Sequence, residues 1–109
     1  MKLAIRSALA SSDVDAALDF YLREAEELAR DFIDELERAT QHIEKNPATG
    51  SPRYAHELNI PYLRFWQLRR FPYALFYIEH SDHLDVIRCV HMSRDIPVTL
   101  RDEGLGSPE

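Results

Sequence analysis

The chain is poor in the residues that build covalent or cofactor-held structures. Of 109 residues, one is cysteine, Cys89, so no internal disulfide and no Cys-x-x-Cys metal or redox pair can form. Three glycines are too few for a Gly-rich phosphate loop. No apolar run approaches the roughly 20 residues needed to span a bilayer. The opening residues Met1-Lys2-Leu3-Ala4-Ile5-Arg6 are too short and charged for a signal-peptide core. Lysine is scarce, with Lys2 and Lys45 against eleven arginines, and none lies beyond residue 45. These absences place the chain with small reduced proteins, and the expected compartment is the cytoplasm.

The remaining composition suffices for one hydrophobic core. A 12.7 kDa chain hides roughly 65% of its unfolded surface on folding. That allows one domain, 1–109, with an ordered core over 1–103 and a flexible tail over 104–109. The net charge of −6 argues against nucleic-acid binding by the whole surface. It is unevenly spread: residues 11–45 carry eleven acids and four bases, whereas 52–77 carry Arg53, Arg64, Arg69 and Arg70 against Glu57 alone. Arginine suits bidentate carboxylate recognition and aromatic stacking, so this bias fits protein recognition at least as well as phosphate binding.

The hydrophobic pattern changes period once. Residues 2–6 alternate as a short strand, and 7–12 read as a small-residue connection with Ser12 as N-cap and Asp13 and Asp15 in a first helical turn. Helical spacing then runs through Val14, Ala17, Leu18, Tyr21, Ala25, Leu28, Phe32, Leu36, Ala39 and Ile43. The pairs Asp19–Arg23, Glu26–Arg30 and Asp34–Arg38 support it. One helix over 13–45 would be about 50 Å long, against a radius of gyration of ~13 Å for such a domain. A bend near 23–27 is therefore expected, or else a long helix that buries its stripe against another chain.

The segment Asn46-Pro47-Ala48-Thr49-Gly50-Ser51-Pro52 ends the helical region. Strands are expected at 63–70, 73–79 and 84–90, with a hairpin loop at His80-Ser81-Asp82-His83 and a helical turn within 96–102. The expected fold is α+β: β-α-α-β-β-β in two layers, a helical hairpin on one face of a small, mostly antiparallel sheet. Leu18, Tyr21, Phe32, Leu36, Ile43, Leu75, Tyr77, Ile87 and Cys89 should fill the space between them. The opposite sheet face should stay partly open, so that some of the seven aromatics within 62–77 line a binding surface.

The order of these elements resembles the ParE toxins of the RelE/ParE superfamily of type II toxin–antitoxin modules. The resemblance runs over about residues 3 to 102. It rests on Asp19-Phe20-Tyr21-Leu22, the helix end at 46–50, the strand Leu63-Arg64-Phe65-Trp66-Gln67-Leu68, the run Arg70-Phe71-Pro72-Tyr73-Ala74-Leu75-Phe76-Tyr77 and the terminal His91-Met92-Ser93-Arg94-Asp95. It implies a toxin of the plasmid-stabilisation type that poisons DNA gyrase and forms a hetero-oligomer with a ParD-like antitoxin. No membrane, no cofactor, no metal and no sequence-specific DNA binding by the toxin alone are implied. RelE-type relatives instead cleave mRNA on the ribosome, and a degenerate, non-toxic antitoxin-binding module is the third alternative.

Metal-free RNA cleavage needs a base for the 2′-hydroxyl, cations for the phosphate and an acid for the leaving oxygen. RelE-like nucleases carry an Arg in the central strand and a Tyr or His near the C-terminus. Here Ala74 stands in the strand, and Val98 and Leu100 follow Arg94. Arg69, Arg70, His91 and Arg94 can still hold a phosphate, but no catalytic residue is assigned. The candidate partner- or target-binding residues are Arg64, Trp66, Arg69, Arg70, His91 and Arg94. Each has a structural alternative: the arginines can pair with acids of the same chain, and His91 can cap the sheet with Arg94 on Asp95. His80, Asp82 and His83 read as a solvated turn and not as metal ligands. Cys89, alternating with Ile87, reads as a small buried hydrophobe.

Overall fold

The computed structural model describes residues 1–102; the expected tail at 104–109 lies outside them. Its elements are β1 (Leu3–Arg6), α1 (Ala8–Glu24), α2 (Glu26–Lys45), a 3-10 turn (Pro47–Thr49), α3 (Arg53–Leu58), β2 (Leu63–Gln67), β3 (Tyr73–Glu79), β4 (His83–His91) and α4 (Ile96–Asp102). The strands form one sheet of order β1-β4-β3-β2. β1 runs parallel to β4, and the other pairs are antiparallel. The α+β order expected from the sequence is present.

The helical hairpin bends at a single residue. Ala25 is extended (φ −170°, ψ 137°), ending α1 with its amide on the Tyr21 carbonyl and opening α2 with its own carbonyl. Arg23 lies in the last turn of α1, and Glu26 and Glu27 in the first turn of α2. Each charge has the sign its helix end favours, so the bend is marked by charge and not by a breaker residue. α1 starts earlier than the sequence reading placed it. Ser7, not Ser12, is the N-cap, its hydroxyl accepting the Ala10 amide at 3.1 Å. Asp13 is thereby moved into the second turn, facing the sheet.

The hairpin face holds the first core cluster. Phe32, Ile43, Leu75 and Tyr77 are fully buried there, with Val14, Ala17, Leu36, Ala39, Leu84, Val86 and Cys89. Leu18 and Tyr21 pack against it only half-buried. Tyr21, Phe32, Phe71 and Tyr73 form an aromatic group with centroids 5.0–6.3 Å apart, edge to face except for the tilted Tyr21–Phe32 pair.

The opposite sheet face is not open. α3 and α4 cover it, burying Tyr54, Leu58, Ile60, Leu63, Ala74, Phe76, Ile87, Val90, Ile96 and Leu100 in a second cluster. Ile87 therefore faces away from the hairpin, contrary to the expected packing beside Cys89. The cause is a register shift at Phe76/Tyr77, which pairs Phe76 with Arg88 and Tyr77 with Val86. Ile87 is the extra residue, and such a bulge breaks strict alternation. α3 has no apolar run long enough to announce it; its C-cap, Asn59, takes the left-handed conformation that asparagine tolerates.

Of the expected helix pairs, Asp19–Arg23 and Glu26–Arg30 form at 3.2 and 3.5 Å. Arg38 turns instead to the buried Glu35 at 2.8 Å, because a desolvated carboxylate needs its cation more than exposed Asp34 does. Replacing Phe32, fully buried among three aromatic contacts, by alanine should cost about 3–5 kcal/mol. A lowered urea midpoint with unchanged slope is the expected result, and an unchanged midpoint would place Phe32 outside the core.

Candidate functional site

The six candidate residues do not form one patch. Arg64 serves the fold: its Nη1 donates to the carbonyls of Gly50 (2.7 Å) and Ala48 (3.2 Å), holding the turn after α2 onto β2. Beside it the Tyr77 hydroxyl donates to the Pro47 carbonyl and accepts the Gly50 amide. A side chain on Gly50 would strike that hydroxyl and the Phe65 carbonyl, so close approach fixes glycine there. Arg70 leaves the strand with φ 67° and pairs with Asp31 at 3.3 Å. The expected strand over 63–70 therefore stops at Gln67, and Arg69 and Arg70 belong to the turn.

Trp66 and Arg69 line a shallow pocket of about 280 Å³ with Glu35, Arg38, Ala39 and His42 of α2. The His42 ring stacks on Trp66 at 4.3 Å, and its Nε2 lies 3.2 Å from the Thr49 hydroxyl. One indole face is thus occupied from within the chain.

His91 and Arg94 lie at the far end of β4, in a pocket of about 110 Å³ that also takes in Tyr73, Asp13, Ala16, Ala17 and Arg88. Tyr73 pairs in register with His91, and their rings meet edge to face at 5.0 Å. Tyr73 opens the expected strand over 73–79 and reads there as one more core aromatic. Its half-exposure and its pairing with His91 are products of strand register alone. The Ser93 amide donates to His91 Nδ1 at 3.1 Å, which leaves the proton of the neutral ring on Nε2. Burial pushes the Tyr73 phenol above its ordinary pKa. Asp13 receives Arg88 Nε at 2.7 Å, Arg88 Nη2 at 2.9 Å and the Cys89 amide at 2.9 Å. Among the described residues Arg94 forms no ion pair, and Asp95 instead accepts the Val98 amide at 3.2 Å.

A larger groove of about 580 Å³ runs between the hairpin and β1. Val14, Leu18, Ile33 and Leu36 give it an apolar lining, with Arg6, Glu37 and Gln41 among its polar lining residues. Both sheet edges beside such surfaces are partly occupied from within the chain. Glu44 takes the outward amides of β1, its carbonyl accepting from Lys2 (3.3 Å) and its carboxylate from Ala4 (2.8 Å). Ser51 bridges Phe65 on the outer edge of β2.

Among the described residues no group of three or more His, Cys, Asp or Glu is arranged to hold a metal. His83 Nδ1 meets Asp82 at 2.7 Å and its ring stacks on His80 at 4.8 Å. No helix among the described residues is long and apolar enough to cross a membrane. Cys89 is buried, and burial with the Asp13 charge pushes its thiol up to about 12.

Over residues 5–96 the chain matches the family described as ParE toxin of type II toxin-antitoxin system, parDE. No curated protein matches the sequence. Among solved structures it is similar to a chain of the chromosomal ParDE TA system from P. aeruginosa. The TM-score is 0.68 and the identity 19%, over 84% of this chain and 96% of that one. At that identity the likeness bears on the fold.

Two predictions follow from the geometry. Arg64→Ala should lower stability by about 1.5–3 kcal/mol, whereas Arg69→Ala, an exposed residue, should leave the thermal midpoint nearly unchanged. Equal effects would contradict the structural role of Arg64. Cys89, raised from 9.0 to about 12, is a neutral acid in the fold that ionises more easily unfolded. Its contribution is complete below pH 9 and is lost as pH rises to 12, at up to ~1.4 kcal/mol per pH unit. Urea midpoints should fall over that window, and less steeply in Cys89→Ala; parallel curves would refute the burial of the thiol.

Proposed function

The chain belongs to the ParE toxin family of type II toxin–antitoxin systems, and from that premise we propose that it inhibits DNA gyrase and is neutralised by a cognate ParD-like antitoxin. The family match over 5–96 carries this reading, and the chemistry of the β4 pocket supports it. RNA cleavage would need a group there to accept the 2′-hydroxyl proton. The Nδ1 of His91 is taken by the Ser93 amide, and its other nitrogen bears the proton. The Tyr73 phenol is raised and stays protonated at neutral pH. The Asp13 carboxylate already accepts three hydrogen bonds. Such a pocket donates protons to hydrogen bonds and lacks an available base. Ala74, fully buried in the central strand, adds no cation.

For the antitoxin, the groove lined by Val14, Leu18, Ile33 and Leu36 favours an amphipathic segment laid against the hairpin. Addition of a strand is disfavoured where Glu44 takes the Lys2 and Ala4 amides at one edge and Ser51 takes both backbone groups of Phe65 at the other. Trp66, Arg69 and Arg70 remain proposed contacts, for the antitoxin or for the target. Arg64 is engaged by the turn after α2.

The test is DNA supercoiling by purified gyrase with added toxin. Loss of supercoiling or accumulation of cleaved DNA is expected, and the antitoxin should reverse it. Charging the groove with Ile33→Asp, on a half-exposed position, should weaken that reversal more than tenfold. Undisturbed gyrase, or ribosome-dependent mRNA cleavage abolished by Arg94→Ala, would overturn the assignment.

A further inference from the structure

We propose that the pocket at the end of β4 is a phosphate-binding site, with Tyr73, His91 and Arg94 as its donors. The pocket, of about 110 Å³, has room for one tetrahedral oxyanion. Its polar wall offers donors of three kinds. Arg94 is an exposed guanidinium with no ion pair among the described residues. His91 carries its proton on Nε2, because Nδ1 accepts the Ser93 amide at 3.1 Å. The Tyr73 hydroxyl has no hydrogen-bond partner recorded among the described residues, and its ring is held against His91 at 5.0 Å.

The one acid in the pocket does not oppose an anion. Asp13 is matched by the buried Arg88, which grips both its oxygens at 2.7 and 2.9 Å, and its third bond goes to the Cys89 amide. The pair is neutral as a unit, so Arg94 leaves the pocket with a net positive charge. Several donors lining one pocket beside an unpaired guanidinium suit an oxyanion. The placement also explains why Arg69 and Arg70 are not part of it. They sit at the turn before β3, Arg70 on Asp31 and Arg69 against the Trp66 pocket.

The inference does not depend on gyrase as the target. The phosphate is that of a nucleic-acid backbone or a free phosphate, and the two sources are separable. The isotope-labelled protein is titrated at constant ionic strength near pH 7.5 in two arms, inorganic phosphate and a thymidine tetranucleotide, following the His91 ring and Tyr73 signals. Saturable shifts at these residues, in the millimolar range for phosphate, are expected. Arg94→Gln should weaken binding about tenfold and Tyr73→Phe several-fold; both keep the fold, since one residue is exposed and the other keeps its ring. Shifts in both arms identify a backbone phosphate, and shifts with inorganic phosphate alone identify a free or terminal one. No saturable shift in either arm, unaltered binding in Arg94→Gln, or equal displacement by acetate, which would make it a carboxylate site, would overturn the proposal.

Discussion

The carboxylate of Asp13 holds the two halves of the molecule together. β1 is only four residues long and leaves β4 at the Arg6–Val86 pair. Beyond that point the edge of β4 would expose the Cys89 amide under a packed helix. Asp13, one turn into α1, accepts that amide and the Arg88 guanidinium together. The Arg88 side chain is only 7% exposed, so the pair has been taken out of water. A buried pair of this kind adds little over a hydrophobic substitute, but removing one partner costs about 3–5 kcal/mol. Its role is to fix register: it sets the height of α1 along β4, and with it the small buried residues Ala10 and Ala17 that let the helix approach.

That register explains much of what the sequence failed to announce. The helical stripe from Val14 to Ile43, the strand runs and the break near Ala25 are local features, and periodicity and charge reveal them. The start of α1 was hidden because Ser7, Ser11 and Ser12 are all acceptable caps, and only the contact between Ser7 Oγ and the Ile87 carbonyl (3.0 Å) distinguishes them. The face of Ile87 depends on a bulge opposite Phe76, which no single-strand pattern encodes. α3 is six residues whose buried members, Tyr54 and Leu58, mean something only against Phe76 and Leu63.

The candidate site divides along the same line. Residue type alone selected His91 and Arg94 as polar groups at a strand end. It could not add Tyr73, eighteen positions earlier and reached only through the β3–β4 pairing. It also left Arg64 open between two roles, since its charge suggests recognition while its geometry supplies two hydrogen bonds to the chain's own turn. Arginine carries this ambiguity, because the same fork that grips a partner's carboxylate grips a backbone carbonyl.

α1 forms one wall of two of the recesses on the hairpin side. Val14 and Leu18 face the large groove, while Asp13, Ala16 and Ala17 face the pocket of Tyr73 and His91. Its packing leaves little freedom: Ser7 caps its start on β4, Asp13 ties its second turn, and Tyr21 locks its end into the aromatic group. An occupant of the groove therefore meets a wall already in place, and the ordering cost of binding falls on the partner. A disordered partner segment can meet that cost by burying apolar side chains against Ile33 and Leu18. It has less to recover through backbone bonds to β1, because Glu44 already takes the outward amides of Lys2 and Ala4. The partly occupied edge thus favours side-chain recognition over strand pairing, and it does so with a residue of the same helix that lines the groove.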